Sequence, residues 1–460
     1  RQFFMPELDM DDSALSSGNT VHMRSLADQK DKRASADMAD RFDAGKWFDG
    51  KCIRPSIYTD PALFDLEMER VFGAGWVYLG HVSELPQPGS YKSTWIGKEP
   101  VILVRNASGD LRVLRNRCRH RGATVCQEER GQARHFSCAY HGWTYDLDGR
   151  LVAMPEPDGY RGVVSAAELP LLPAATVDDY RGLIFASLNA DVAPLREYLK
   201  PALPYMDEFL DQGAPWELAV AGQFKLLARA NWKLILENST DGYHFQYTHR
   251  SYLNLVDTEQ GERHRVAKGT SVRFVRALGN GHGVIHGPRS SSNEARRPRI
   301  APREWDRFVE QAHRDHPEQA DRMIASSVGS FMNVCLFPNV SLSDLFLREL
   351  RPIAVDLTEV RHTVFKLVGA PDIANEIRLR IHESFNGPGG LGNTDDVEAW
   401  RRVQEGVQAA PDQWVLLNRG LMRESDDGEG GRVSDGSDET AMRGAYTEWA
   451  RLMSAGGASR

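Results

Sequence analysis

The sequence predicts an α+β fold, with a small all-β domain over residues 77–190 and a larger domain over 191–460 in which helices cover a long antiparallel sheet. Three observations carry this prediction. Short β-rich runs separated by turn signals fill the first region, helical periodicity returns near residue 191, and alternating runs appear farther on. A chain of 460 residues is also too long for one comfortable core, so more than one domain is expected.

Residues 1–44 are polar and mixed in charge and read as an arm. They hold no apolar signal core, so export is not expected; the chain opens on Arg1 rather than Met, so further N-terminal residues are expected to precede it. Residues 45–76 read as a helical segment packed on the larger domain, because Phe64, Met68, Val71 and Phe72 recur at helical spacing between Pro61 and Trp76. In the β-rich region, VILVRN and LRVLRN flank a turn signal at 106–110, and a second turn signal at 146–149 separates WTY from LVAM.

Residues 191–235 are helical in pattern, and ANWKLILENSTDGYHF places Trp232, Ile235, Leu236 and Ser239 along one stripe. The runs SVRFVRALG, NVSLSDLFL and TEVRHTVFKLV alternate at least in part and read as antiparallel strands. Residues 280–303, rich in Gly, Ser, Pro and Arg, read as a mobile loop, and the acidic, Gly-rich stretch 424–438 as an exposed one. SDETAMRGAYTEWARLM reads as a capped C-terminal helix. No internal repeat is evident.

A formal net charge of -8 argues against a nucleic acid or an anionic membrane as partner. No apolar run approaches the roughly 18 residues of a spanning helix. The five cysteines, Cys52, Cys118, Cys126, Cys138 and Cys335, are an odd and sparse set, unlike a disulfide framework. A reducing cytoplasm fits them and leaves thiolates free to hold metal.

Two constellations carry chemistry. In the first, Cys118-Arg-His120 and Cys138-Ala-Tyr-His141 are separated by seventeen residues. A Cys-x-His pair and a Cys-x-x-His pair on facing loops can hold two metals asymmetrically, thiolates on one iron and imidazoles on the other, which is the Rieske [2Fe-2S] arrangement. Structural zinc on two Cys and two His is the rival, although zinc fingers usually pair like with like. Trp143 is read equally as a ring over the site and as core, and Cys126 as a buried thiol rather than a ligand.

The second constellation is NWKLILENSTDGYHFQYTH, which contains Glu237, Asn238, Asp241, His244 and His249. On a continuous helix Glu237, Asp241 and His244 would share one face. His249, five residues past His244, fits no regular helix, so the helix must end or widen if both imidazoles bind one metal. Two imidazoles and one carboxylate leave open positions that suit Fe(II) engaging O2. His282 and His286, in the expected loop, compete as ligands and are read as pocket or surface residues.

The strings CRHRG and CAYHGWTYDLDG, and the pattern N-W-K…E-N-x-x-D-x-Y-H-x4-H, resemble the large (alpha) subunits of Rieske non-haem iron ring-hydroxylating oxygenases from about residue 47 to the C-terminal helix. The resemblance implies that Cys118, His120, Cys138 and His141 hold the cluster, with Gly122 and Gly142 admitting backbone N–H groups to its sulfurs. It maps His244 and His249 onto the iron ligands and Asp241 onto an aspartate that bridges a cluster histidine to His244 of a neighbouring chain. The family's third ligand is a distant aspartate; NTDDVEAW offers Asp395 and Asp396, and Asp396 takes the matching place, with a solvated helix N-cap as the plain reading of either acid.

It further implies hydroxylation of an aromatic ring with O2, in a trimer of large subunits, often with a small β subunit (α3 or α3β3). NAD(P)H electrons would arrive through a separate reductase, with or without a ferredoxin, since no nucleotide or flavin fingerprint is evident in this chain. The spacing of the second motif leans toward cis-dihydroxylation of single-ring aromatic acids, for which Arg348 or Arg351 could anchor a carboxylate. A Rieske monooxygenase or demethylase, a pure electron carrier and an inactive scaffold subunit are the alternatives.

Overall fold

The computed structural model describes residues 42–214, 216–254, 274–287, 302–327 and 332–455. Nearly all of the expected arm, and residues 288–301 of the expected mobile loop, lie outside the described residues.

The apolar run at 101–104 forms the middle of a four-stranded sheet ordered Leu111–Arg115, Glu99–Arg105, Ser90–Ile96, Arg130–Gln132. Val101, Ile102, Leu103 and Val104 are all fully buried, so this strand is covered on both faces. The turn at 106–110 closes the hairpin, with the Asn106 side chain accepting the N–H groups of Ser108 and Asp110. A three-stranded sheet of Phe136–Ser137, Thr144–Tyr145 and Leu151–Ala153 stands beside it, turning at 146–149 as expected. A third small sheet brings Val77–His81 against Leu183–Ser187.

The larger unit is built on a nine-stranded antiparallel sheet, in the order Glu217–Ala228, Leu357–Val368, Phe346–Ala354, Val340–Ser343, Met332–Leu336, His282–His286, Phe274–Gly279, Arg432–Ser434, Ser425–Asp426. Helices cover it, among them Trp232–Asn238, Asp372–Phe385, Leu391–Ala409 and Thr440–Ser454. The expected α+β class and its two kinds of sheet are therefore present.

Four local expectations differ. NVSLSDLFL is a hairpin rather than one strand, because Asp344 adopts a positive φ and reverses the chain between Ser343 and Phe346. The start of the expected loop at 280–303 is sheet: His282–His286 pairs on both sides. The acidic stretch 424–438 also adds strands to the sheet, at its edge. The C-terminal helix has no side-chain cap at Glu439. Its neighbour Asp438 instead accepts hydrogen bonds from Arg423.

The helical segment after residue 60 starts at Pro61 under an Asp60 cap, and from Met68 to Gly73 it widens into a π-type turn. Its Glu67 is fully buried and ties three elements together. Lys233 Nζ lies 2.6 Å from Glu67 Oε1, and the indole N–H groups of Trp232 and Trp449 donate to the same carboxylate at 2.9 and 2.7 Å. The base of helix Trp232–Asn238 is thus locked to the early segment and to the C-terminal helix. Among the described residues no helix is long and apolar enough to cross a membrane.

Removing one partner of a buried ion pair leaves the other charge uncompensated. Lys233→Met is therefore expected to destabilise the protein by about 3–5 kcal/mol, read as a lowered midpoint in chemical denaturation, with Glu67→Gln/Lys233→Met recovering part of the loss.

Candidate metal centres

Cys118 and Cys138 occupy equivalent places in two loops of the β domain. In each, the cysteine N–H donates to the carbonyl five residues on (Ala123 and Trp143, both 2.8 Å), and its carbonyl accepts from the glycine four residues on (Gly122 and Gly142, both 2.9 Å). The two glycines share φ near +78° and +70°, a region that side chains with a Cβ rarely adopt. Both thiols are buried, while His141 is exposed at the rim and the His120 and His141 rings lie 4.4 Å apart. Two sulfurs inside and two imidazoles outside fit an asymmetric two-iron cluster.

The Tyr145 phenol oxygen lies 3.3 Å from Cys118 Sγ and accepts the Arg119 N–H at 3.0 Å. Burial, then the Cys118 sulfur beside it, push the phenol's pKa far above its ordinary value, so its proton stays available to a sulfur anion. Trp143 is both core and site, since it is buried and stacks on His120 at 4.9 Å. The Tyr160 hydroxyl sits 3.3 Å from His120 Nε2, so a metal held by that ring would take Nδ1. Cys126 is a buried thiol outside this group, with the Ser93 hydroxyl at 3.4 Å.

In the larger domain, helix Trp232–Asn238 forms the first part of the second motif and stops before Asp241. Asp241 Oδ1 accepts from the N–H groups of Tyr243 (2.7 Å) and His244 (3.1 Å), and this turn starts the short helix Phe245–Thr248. His244 and His249 flank its two ends, which is how an irregular five-residue spacing brings both rings to one point. Asp396 reaches them from the second turn of helix Leu391–Ala409.

Asp396 Oδ1 lies 3.5 Å from His244 Nε2 and 3.3 Å from His249 Nε2, and the three ligand atoms fall within 4.8 Å of one another. These separations are long for hydrogen bonds and suited to three donors around one cation. Behind the rings, His244 Nδ1 faces Asp241 Oδ2 and His249 Nδ1 faces Asp395 Oδ2, each at 3.5 Å. Carboxylates so placed fix imidazole orientation and strengthen its donation to a metal. Burial opposes charge on His244, but Asp241 and Asp396 overcome it and lift the pKa to about 9. Burial also opposes ionisation of Asp396, yet His244, His249 and Arg348 hold it well below the usual carboxylate range. The pocket attracts positive charge, and its donor set of two imidazoles and one carboxylate fits Fe(II).

Several expectations are corrected. Glu237 does not share the face of Asp241 and His244, because the helix has ended. Its carboxylate accepts from the Tyr58 hydroxyl at 2.8 Å and from Tyr446, and burial pushes its pKa up to about 7 against those two hydroxyls. Together with Trp232, Thr240, Phe337, Tyr446 and Trp449 it lines a narrow cavity whose walls include none of the three candidate ligands. Asp395 is no N-cap: the helix starts at Leu391, and Asp395 backs His249, a role its sequence position did not signal. His282 is a buried sheet residue whose Nε2 lies 3.0 Å from the Tyr198 carbonyl and whose Nδ1 accepts the Phe337 N–H; burial pushes its pKa down to about 4. His286 meets Glu208 at 3.2 Å. Arg351 pairs with Glu359 and lies over Trp95, so it is structural.

Residues 75–172 match the Rieske [2Fe-2S] domain, and residues 215–455 match the ring hydroxylating alpha subunit (catalytic domain). The chain belongs to the ring-hydroxylating oxygenase alpha subunits. This alpha subunit is 33% identical to the large subunit of 2-halobenzoate 1,2-dioxygenase from Burkholderia cepacia over 80% of its own length and 79% of the relative's. It is also 33% identical to the alpha subunit of toluate 1,2-dioxygenase from Pseudomonas putida, covering 77% and 79%. A naphthalene 1,2-dioxygenase variant bound to phenanthrene superposes with a TM-score of 0.75 at 25% identity, covering 89% of this chain and 93% of that one. The protein is thus an oxidoreductase, the terminal oxygenase alpha subunit of a Rieske ring-hydroxylating dioxygenase, whose domains use a [2Fe-2S] cluster and mononuclear iron.

Hydrogen bonds to a cluster's sulfurs raise its reduction potential. Tyr145→Phe, which removes the phenol proton beside Cys118, is expected to lower the potential of the Rieske centre in a redox titration while the oxidised spectrum keeps its form.

Proposed function

We propose that this alpha subunit cis-dihydroxylates a single-ring aromatic acid, with O2 as oxidant and NAD(P)H as ultimate donor through a separate reductase, with or without a ferredoxin. In this reading residues 77–190 receive electrons and residues 191–460 activate oxygen. Cys118, His120, Cys138 and His141 hold the cluster, and His244, His249 and Asp396 hold the iron. The meeting of two imidazoles and one carboxylate, each ring backed by an acid, carries the reading. The halobenzoate and toluate relatives support the substrate class. A reducing cytoplasm suits the five free cysteines.

The iron, when bound, supplies open coordination positions for oxygen chemistry. What the chain supplies is placement. Asp241 Oδ1 holds the turn that delivers His244, and its Oδ2 faces that ring's outer nitrogen. The carboxylate is partly exposed, and so is the rim at His141. We read this as a trimer of large subunits, with a small β subunit, in which Asp241 of one copy bridges its His244 to a cluster histidine of the next.

The test uses Asp241→Ala and Asp241→Asn in the assembled oxygenase with a matched reductase. Asn keeps the turn's acceptor and loses the charge. Both variants are expected to retain cluster and iron by metal analysis while turnover falls by about 10–100-fold. Normal product formation by both would remove the bridging role. Loss of mononuclear iron with an intact Rieske spectrum is expected instead from His249→Ala. Mass analysis of product formed under labelled O2 separates a cis-dihydrodiol from a monohydroxylated compound.

A further inference from the structure

Beside the metal centre stands a buried positive charge whose anionic neighbour, Asp396, acts on it only from beyond ion-pair distance. Arg348, on strand Phe346–Ala354, is 6% exposed, and among the described residues no carboxylate lies within ion-pair distance of it. Its donors reach neutral acceptors at long range: Nε to His362 Nε2 (3.3 Å), Nη1 to Asn238 Oδ1 (3.4 Å) and Ser239 Oγ (3.3 Å). Nη2 makes no hydrogen bond among the described residues. Arg361, by contrast, lies amid Glu129, Glu349 and Glu359; Arg378 also meets only neutral acceptors but spends both terminal nitrogens on them, Gln212 and the Ser326 carbonyl.

One side chain separates Arg348 from the metal centre. Asn238 Nδ2 lies 3.2 Å from Asp396 Oδ1 and 3.3 Å from His244 Nε2. On the other side stands His362, directly opposite Arg348 in the strand pairing. An arginine can only donate, so the His362 nitrogen facing it accepts. His382, from helix Asp372–Phe385, is 3% exposed, yet neither ring nitrogen has a hydrogen-bond partner. Every imidazole carries at least one N–H, and leaving it buried and unused is unfavourable. Phe346 lies over both rings, at 4.8 Å from His362 and 5.0 Å from His382, and Phe224 at 4.6 Å from His362.

We propose that Arg348 and His382 bind the carboxylate of the substrate, with His362 orienting the guanidinium and Phe346 and Phe224 walling the group off from water. An incoming carboxylate brings the acceptors that Nη2 and the His382 N–H lack, and places a negative charge in direct contact with the arginine. Burial pushes both histidines toward the neutral form, so the fixed positive charge belongs to Arg348. The clamp rests on the aromatic-acid reading above. It adds a reason for that class, because a neutral hydrocarbon would leave Nη2 and the His382 N–H without acceptors.

The test compares benzoate with toluene, a neutral counterpart of similar size, in the assembled oxygenase and its Arg348→Gln and His382→Phe variants. Calorimetric titration of benzoate is run alongside turnover. Arg348→Gln is expected to weaken benzoate binding and raise its KM by about a hundredfold or more, with a much smaller loss for toluene. For His382→Phe a rise of about tenfold is expected, and this variant decides the matter if Arg348→Gln does not fold. Unchanged benzoate affinity in the folded variants overturns the clamp, and so does an equal loss for both substrates at full iron content. A wild-type enzyme that oxidises toluene but neither binds nor oxidises benzoate overturns the aromatic-acid reading itself, which is a different result.

Discussion

Asp241 makes the interaction on which the convergence of His244 and His249 depends, because its two oxygens serve two purposes. One accepts the backbone N–H groups that end the turn after Asn238, and the other faces the outer nitrogen of His244. Without that turn His244 and His249 would point in different directions from a continuous helix. The helix before it is held at its base by the buried Glu67 carboxylate, which gathers Lys233, Trp232 and Trp449. The site therefore hangs from a rigid root and opens at a deliberately irregular end. Asp396 completes it from a helix some 150 residues later, tethered through Asn238.

The β domain solves a related problem by repetition. Two loops adopt the same conformation, each closing a hydrogen-bonded ring between a cysteine and the glycine four residues on. That geometry buries sulfur and presents imidazole at the rim, and the aromatic residues Trp143, Tyr145 and Tyr160 finish the enclosure. In the proposed assignment the chain thus holds its cluster on hairpin loops and its mononuclear iron at a helix break, with carboxylates behind the imidazoles of the latter.

Much of this was legible in the residues. The paired Cys/His spacings, the glycines beside them and the turn signals at 106–110 and 146–149 are local features, and local features survive translation into structure. The impossibility of carrying His244 and His249 on one regular helix also correctly announced a break. What could not be read was direction. Glu237 shares a helical periodicity with Asp241 only on paper, and its side chain turns to Tyr58 and Tyr446 instead. Asp395 looked like a cap because nothing in NTDDVEAW shows that the helix has already begun at Leu391. His282 and His286 sat in a composition typical of loops, yet strand pairing on both sides draws them into the sheet. Long-range pairing decided each of these, and pairing partners have no local mark.

Among the described residues, the outermost strand of the large sheet, Glu217–Ala228, has one flank unpaired by any strand of its own sheet. A bulge at Val220/Gly222 interrupts it, and there the N–H of Val220 donates to the Ser83 hydroxyl while Gln223 reaches Glu84. Exposed flanks of this kind recruit foreign strands and seed aggregates. The β domain consequently acts as a lid on sticky backbone. An oxygenase half expressed by itself would meet solvent along that seam, so the two halves are poor candidates for modular exchange.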